Sequence, residues 1–222
     1  MGTAASLFRT ERSGPSSVLV LGLDNAGKTV MIQALCAESD VRFSSPIRGI
    51  SFKEALVKMP NEMNLVTMFC WDVGGRCSLR PYLRRFYENA DGIIYVVDSA
   101  DRKRFEQAGD ELRQILQDEL LLGKPLLVLA NKQDLISARP GQEITDALGL
   151  HGLRDRPWHV QETAVKRQEG LLEGLAWLHS TVDETPRGLA KERKDRAGPL
   201  KVAFSGEFKS TLEGRTPAFQ LG

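Results

Sequence analysis

The stretch that decides the fold is Gly22-Leu-Asp-Asn-Ala-Gly-Lys-Thr29. It matches GxxxxGK[ST] at every defined position, between the apolar run 17–23 and a helical segment, 27–37. In this strand–loop–helix context the glycines let successive backbone N–H groups point inward at phosphate oxygens. The helix start adds a dipole that favours an anion. The sequence therefore predicts a phosphate-binding loop; an ordinary glycine-containing turn with a chance lysine is the weaker alternative.

Apolar runs alternate with amphipathic segments along the rest of the chain. Strands are expected over 17–23, 51–58, 64–72, 92–98, 125–130 and 157–163, and helices over 27–37, 101–120, 141–148 and 169–182. Continuous apolar strands that alternate with helices indicate a parallel sheet covered on both faces. We therefore predict an α/β P-loop NTPase fold with a mostly parallel six-stranded sheet. Residues 38–50 are predicted to form a loop.

Composition bounds the class of protein. The 222 residues are 41% hydrophobic and 27% charged, with 30 basic and 29 acidic side chains. This excludes a collagen-like or wholly disordered chain, and no apolar run reaches the roughly 18 residues of a transmembrane helix. The net charge of +1 gives no electrostatic case for a nucleic-acid partner. Three cysteines without a CxxC pair, and no secretory signal, favour free thiols in a reducing cytosol.

The composition changes after Val182, where glycine and proline become frequent and long apolar periodicity ends. We predict an N-terminal segment over 1–16, a folded domain over 17–182 and a disordered tail over 183–222. The scattered apolar residues of the tail are interpreted as solvated, with a short docking motif as the alternative.

A second motif, Asn131-Lys-Gln-Asp134, follows the 125–130 strand. The Asp134 carboxylate can accept hydrogen bonds from both guanine N1–H and the guanine amino group. Adenine offers no such pair of donors, and a site with an unpaired buried carboxylate rejects the wrong base. The pattern thus favours guanine and disfavours an ATP-using kinase. Asn131 is expected to brace neighbouring loops, and the alkyl stem of Lys132 to cover the base.

Over residues 17–180 the chain resembles the Arf and Arf-like small GTPases. The matching segments are the loop that ends at Thr29, Trp71-Asp-Val-Gly-Gly75, Tyr95-Val-Val-Asp-Ser99, Leu129-Ala-Asn-Lys-Gln-Asp-Leu135, Glu143-Ile-Thr-Asp-Ala-Leu-Gly-Leu150 and Gly170-Leu-Leu-Glu-Gly-Leu-Ala-Trp-Leu178. The resemblance implies a small G-domain that binds GTP or GDP with Mg²⁺ and acts as a monomeric regulatory switch. Effectors and regulators would bind the switch regions, 42–52 and 73–88.

Site residues carried over from the resemblance extend the two motifs. The nucleotide-binding set is Asp24, Asn25, Ala26, Gly27, Lys28, Thr29, Gly75, Asn131, Lys132, Asp134, Ala164 and Val165. Lys28 would approach the β- and γ-phosphates, and Thr29 would bind Mg²⁺ directly. Asp72 would hold the metal through water, and Gly75 would donate its N–H to the γ-phosphate. In Thr163-Ala-Val165 one backbone N–H would read the guanine oxygen, at either Ala164 or Val165.

Two departures from the family pattern bear on catalysis. Ile47 stands where the first switch has a metal-binding threonine, and Arg76 stands where a glutamine orients the attacking water. Isoleucine has no side-chain oxygen, and arginine has no acceptor for that water. No residue is therefore assigned as catalytic. We predict weak or absent GTP hydrolysis; the alternative is a pseudo-GTPase, a binding module locked in one nucleotide state.

The N-terminus and one arginine group suggest further contacts. Met1 to Ser6 fits the myristoylation pattern, so Gly2 would carry an acyl chain; an ordinary acetylated terminus is the alternative. We thus expect a cytoplasmic protein that reaches intracellular membranes peripherally through Gly2, and the resemblance to Arf-like proteins implies a role in membrane trafficking or signalling. The group Arg80, Arg84 and Arg85 is either a solvated helix face or part of a partner-binding surface.

Overall fold

The computed structural model describes residues 16–35, 41–43, 50–58, 65–73, 84, 86–88 and 90–184. For residue 16 and for 41–43, 50–58 and 65–73 it describes the backbone alone. The chain divides into two units, Met1–Thr185 and Pro186–Gly222, and all described residues lie in the first. The predicted segments 1–16 and 183–222 therefore lie almost wholly outside the described residues, and the predicted domain limits stay predictions.

The described residues form alternating strands and helices. The strands are β1 (Ser16–Leu21), β2 (Val41–Phe43), β3 (Ile50–Lys58), β4 (Leu65–Val73), β5 (Gly92–Asp98), β6 (Leu126–Asn131) and β7 (Trp158–Glu162). The helices are α1 (Lys28–Leu35), α2 (Phe105–Leu116), α3 (Gly141–Leu148) and α4 (Leu171–Glu184). None of the helices in the described part of the chain combines the length and apolar character that a membrane span needs.

The strands form one mixed sheet in the order β2-β3-β4-β1-β5-β6-β7. From β4 to β7 all pairings are parallel, whereas β2 and β3 are antiparallel to their neighbours. The α/β prediction is confirmed, but the number of strands differs. The described residues include seven strands, since Val41–Phe43 pairs with β3 inside the predicted loop 38–50. Three residues are too few to show an alternating pattern, so only the pairing with β3 reveals this strand.

Helices cover both faces of the sheet, as predicted. On one face, residues of β1, β5 and β6 pack with α2 and α3; this core includes Leu19, Tyr95, Leu112 and Ile144. On the other face, the alternate residues of the same strands pack with α1 and α4. Six successive residues of β5 and all six of β6 are buried because both faces of these strands are covered.

Two predicted helices differ from the observed ones in detail. The 101–120 segment forms α2 only to Leu116, because the Asp118 side chain accepts the Leu120 N–H and starts a short 3₁₀ turn. The 169–182 segment forms α4 from Leu171 to Glu184, two residues later than predicted at each end. The 141–148 prediction is confirmed, and Gly149 ends α3 in the left-handed conformation.

Candidate nucleotide site

Those predicted site residues that the structure describes come together at the carboxyl edge of the central strands. The phosphate loop, residues 22–29, follows β1, and the base loop, residues 131–135, follows β6. The segment 98–104 follows β5, which lies between β1 and β6, and the loop 163–165 follows β7. Because parallel strands end at the same edge, four loops that are distant in sequence form one site.

The shape of the phosphate loop depends on its two glycines. Gly22 has a φ of +135°, and a Cβ there would lie 2.2 Å from the Val96 carbonyl oxygen. Gly27 has a φ of +107°, and its Cβ would lie 2.3 Å from the Asn131 side-chain nitrogen. Only glycine adopts this backbone and permits this approach. The loop therefore packs directly on β5 and on the base loop.

Lys28 is buried at the start of α1. Its ammonium donates hydrogen bonds to the carbonyl oxygens of Gly22, at 2.9 Å, and Leu23, at 2.7 Å. The charge is thus held inside the curve of the loop, where the sequence predicts the phosphates. Asp24 and Asn25 are exposed at the tip of the loop, Ala26 is buried, and Thr29 is half-buried in the first turn of α1.

Asn131 joins three loops. Its side-chain amide donates to the Ala26 carbonyl at 2.9 Å, which ties the base loop to the phosphate loop. Its side-chain oxygen accepts hydrogen bonds from the Val165 N–H at 3.2 Å and from the Thr163 hydroxyl at 3.4 Å. The side chain is buried, so these bonds replace its bonds to water and hold the loops at a defined spacing.

The rest of the base loop combines an ion pair with a half-buried acceptor. Lys132 adopts a φ of +70°, and its ammonium pairs with the Asp98 carboxylate at 2.6 Å. Asp134 is half-buried, and no group in the described residues donates a hydrogen bond to its carboxylate. The Gln133 N–H donates to the Thr163 carbonyl at 3.0 Å. The loop thus presents the Asp134 acceptor on a backbone fixed at both sides.

The two candidates in the 163–165 loop differ in their backbone hydrogen bonds. The Ala164 N–H donates to the Glu169 carbonyl at 3.1 Å, in a bridge that closes the turn. The Val165 N–H instead donates to the Asn131 side chain and so points toward the base loop. The structure therefore turns Val165 toward the site and Ala164 away from it.

Sequence reasoning missed two residues that contact the predicted loops. Asp98 and Arg104 belong to the segment after β5, where no role was assigned. Arg104 donates to the Asp101 carboxylate at 2.6 Å and to the Asp24 carboxylate at 2.9 Å. The hydrogen bond and charge of Asp101, and then the charge of Asp24, raise the pKa of the Arg104 guanidinium. The signal available in the sequence was position alone: Asp98 ends an apolar strand, as Asn131 does.

Comparison with known proteins identifies the family to which these nucleotide motifs belong. The family model described as the ADP-ribosylation factor family matches residues 3–182. The chain belongs to the ADP-ribosylation factor family. It is 42% identical over 172 residues to "ADP-ribosylation factor-like protein 3" of Chlamydomonas reinhardtii, which covers 78% of this chain and 93% of that protein. It is 41% identical over 175 residues to the protein of the same name in Caenorhabditis elegans, covering 79% and 92%.

Membership in the Arf family confirms the predicted class, a regulatory GTP-binding protein. Arf-family proteins bind guanine nucleotides and act through effectors, so these two predictions hold at that level. The predicted positions Gly2, Ile47, Gly75 and Arg76 lie outside the described residues. Their proposed roles therefore stay predictions from the sequence.

Asp72 is predicted to hold the metal through water, and the structure describes the position of its backbone. It lies near the carboxyl end of β4, two residues beyond Cys70, which pairs with Val20 of β1. That position is beside the phosphate loop. No group of three or more His, Cys, Asp or Glu side chains among the described residues is arranged to hold a metal by itself.

Arg84 is one of the three arginines for which two interpretations were left open. It donates to the carboxylates of Asp118 at 3.1 Å and Glu119 at 2.9 Å, and these hydrogen bonds and charges raise the pKa of its guanidinium. The side chain is half exposed, so the contact is a surface ion pair of modest strength. This Arg84 is thus directed to its own domain, while Arg80 and Arg85 lie outside the described residues.

Proposed function

We propose that this Arf-family protein binds GDP and GTP between the phosphate loop and the base loop and acts as a slowly hydrolysing regulatory switch. The observation that carries the proposal is the Asn131 side chain. Its bonds to Ala26 and Val165 set the spacing between a phosphate-binding loop and a carboxylate suited to guanine. A nucleotide would place its guanine at the Asp134 carboxylate and its phosphates in the loop that ends at Thr29.

The proposed base contacts follow from the donors and acceptors of guanine. Asp134 accepts the N1–H and amino hydrogens, and the Val165 N–H, which donates to the Asn131 side-chain oxygen, shares its hydrogen with the guanine oxygen when the nucleotide is bound. Val165 is favoured over Ala164 because the Ala164 N–H closes the turn with Glu169. Lys132 lines the base with its alkyl stem while its ammonium stays on Asp98.

We propose Mg²⁺ as the cofactor, held by the Thr29 hydroxyl and, through water, by Asp72. Both are oxygen donors, the ligand type that Mg²⁺ prefers. The start of α1 and the end of β4 lie beside each other in the fold, which supports this pairing. The metal would neutralise phosphate charge.

Weak or absent hydrolysis is proposed from the sequence at two positions. Phosphoryl transfer depends on placing the water and on stabilising the developing charge. Ile47 removes a metal ligand, and Arg76 cannot orient the water. A second candidate function, a pseudo-GTPase scaffold locked in one nucleotide state, is favoured by these same two residues.

Identification of the nucleotide tests this proposal first. The purified protein is denatured, and the released nucleotide is identified by chromatography. GDP supports a cycling switch, GTP a locked binder, ATP a kinase, and no nucleotide an empty scaffold. The Lys28→Ala and Asp134→Ala variants should lose fluorescent GDP binding. The exposed Lys103→Ala and Asp110→Ala variants are the matched controls and should retain it.

A single-turnover measurement tests the hydrolysis part. With GTP preloaded, the wild-type chain should show little phosphate release, and the Ile47→Thr/Arg76→Gln double variant should release it faster. Rapid hydrolysis by the wild type would contradict the proposal. An unchanged rate in the double variant would show that other residues limit the reaction.

The proposed cellular setting rests on Gly2. We propose that an acyl chain on Gly2 brings the monomeric, cytoplasmic protein to intracellular membranes, where regions 42–52 and 73–88 bind effectors in trafficking or signalling. Coexpression with an N-myristoyltransferase should add one myristoyl mass to the wild type and none to Gly2→Ala. Since one myristoyl chain gives only marginal binding, vesicle sedimentation should show weak, reversible attachment.

A further inference from the structure

The segment 98–104 contacts both halves of the proposed site. It leaves β5 between the strands that lead to the phosphate loop and the base loop. Asp98 pairs with Lys132 of the base loop, and Arg104 pairs with Asp24 of the phosphate loop. Neither contact belongs to the two nucleotide motifs.

The Asp98 carboxylate is largely shielded from solvent, and both of its oxygens accept hydrogen bonds. One carboxylate oxygen accepts from Lys132 at 2.6 Å, and the other accepts from the Ala100 N–H at 3.0 Å. The Asp98 side chain is 12% exposed and that of Lys132 is 23% exposed. A charge-assisted hydrogen bond with this little solvent is among the stronger ones in proteins.

The Arg104 guanidinium makes two hydrogen bonds to Asp24. Its Nη1 donates to the Asp24 carboxylate at 2.9 Å and its Nη2 to the Asp24 backbone carbonyl at 3.3 Å. Its Nε donates to Asp101 at 2.6 Å, which fixes the guanidinium within the segment itself. Asp24 is thus held by both its side chain and its backbone.

Each contact lies at a strained point of a loop. Lys132 itself has a φ of +70°, and Asn25, next to Asp24, has a φ of +61°. Residues other than glycine rarely occupy this left-handed region, and each costs on the order of 1 kcal/mol or more. Such conformations persist only where surrounding contacts hold them. One ion pair holds Lys132 itself, and the other holds Asp24, the neighbour of Asn25.

We propose that Asp98 and Arg104 are positioning residues that form a clamp, segment 98–104, which holds both loops in their binding shape and slows nucleotide release. The proposal rests on the proposed guanine-nucleotide site. Asp98 acts through Lys132 on the base loop, and Arg104 acts through Asp24 on the phosphate loop. The two contacts hold different loops, so each variant should first loosen the loop that its own contact holds.

The test uses the full chain loaded with fluorescent GDP in Mg²⁺ buffer. Asp98→Asn should speed GDP dissociation by on the order of tenfold, the size expected for a lost and shielded charge-assisted hydrogen bond. Arg104→Gln should speed it by about threefold to fivefold, because its partner Asp24 is 54% exposed and solvent screens the pair. The double variant should multiply the two effects. The controls Asp110→Asn and Arg113→Gln each break the same exposed ion pair, which lies outside segment 98–104 and both loops, and should leave the rate within about twofold.

Two further readouts separate positioning from general weakening. In hydrogen exchange, Asp98→Asn should speed exchange in the base loop alone, and Arg104→Gln in the phosphate loop alone. The conservative variants Asp98→Glu and Arg104→Lys should recover part of the slow dissociation. Equal changes in both loops, or unchanged dissociation, would overturn the clamp. If the wild type binds no guanine nucleotide, the proposed function fails, and the loop-specific exchange still decides the clamp.

Discussion

The phosphate loop and the base loop achieve the same rigidity by different means. The shape of the phosphate loop depends on the lack of a side chain at Gly22 and Gly27, because a Cβ at either position would block the close contacts seen there. The base loop is shaped by side chains, because Asn131, Lys132 and Gln133 each bond to another segment. The phosphate loop should therefore be disrupted when a side chain is added to a glycine, and the base loop when a side chain is shortened or changed.

The largest effect is expected from adding a methyl group to the phosphate loop. Gly22→Ala places a Cβ 2.2 Å from the Val96 carbonyl and forces alanine to a φ of +135°. We expect the free energy of unfolding to fall by at least about 3 kcal/mol, measured by chemical denaturation. Gly149→Ala is the matched control, with a φ of +68° and no atom within 4 Å of the added Cβ. It should cost only about 1 kcal/mol; equal losses would contradict the steric argument.

In the base loop, exchanging one atom should change the ligand rather than the stability. Asp134→Asn replaces a half-buried acceptor by an amide that also donates. Guanine then loses an acceptor, while xanthine, with a carbonyl in place of the amino group, gains a donor. We expect the ratio of GDP to xanthosine diphosphate affinity to fall by about 100-fold or more. Competition against fluorescent GDP measures it. An unchanged ratio would mean that Asp134 does not read the base.

Removing the Asn131 side chain should weaken the contact between the loops. Asn131→Ala leaves the Ala26 carbonyl and the Val165 N–H without their buried partner. We expect a loss of about 2 kcal/mol in the free energy of unfolding, together with faster hydrogen exchange in the 163–165 loop. Gln133→Ala removes bonds to Ala130 and Arg139 and serves as the control. If Gln133→Ala lowered the free energy of unfolding as much and sped exchange in the 163–165 loop as much, Asn131 would have no special bracing role.

The smallest effect is expected at Gln168, where a residue with a side chain occupies a backbone conformation that favours glycine. Gln168, just after the 163–165 loop, adopts a φ of +58° with an exposed side chain. Gln168→Gly relieves that strain but adds freedom to the unfolded chain, so the net gain should be about 0.5 kcal/mol. A rise in the thermal unfolding midpoint would check it. A clear fall would mean that the glutamine side chain itself stabilises the turn.

How far the sequence predicts the site depends on whether a contact is local. The phosphate loop is readable because its strand, glycines and helix start are consecutive, and the observed β1 and α1 flank it as expected. The base motif is readable for the same reason. Asp98 and Arg104 were missed because their partners are 34 and 80 positions away and charged residues after a strand are common. The short strand β2 was missed because its pairing with β3, and not its composition, makes it a strand.

The sequence by itself determined the fold class, the family and the two nucleotide motifs, since each depends on residues that are neighbours in the chain. Apolar runs report burial, and spaced glycines report backbone shape, without knowledge of distant partners. Only the tertiary structure decided that Val165 rather than Ala164 faces the base loop, and that Asn131 sets the spacing between loops. It also brought segment 98–104 against both loops. These arrangements depend on strand order, because the sheet places β5 between β1 and β6, and the linear sequence does not display that order.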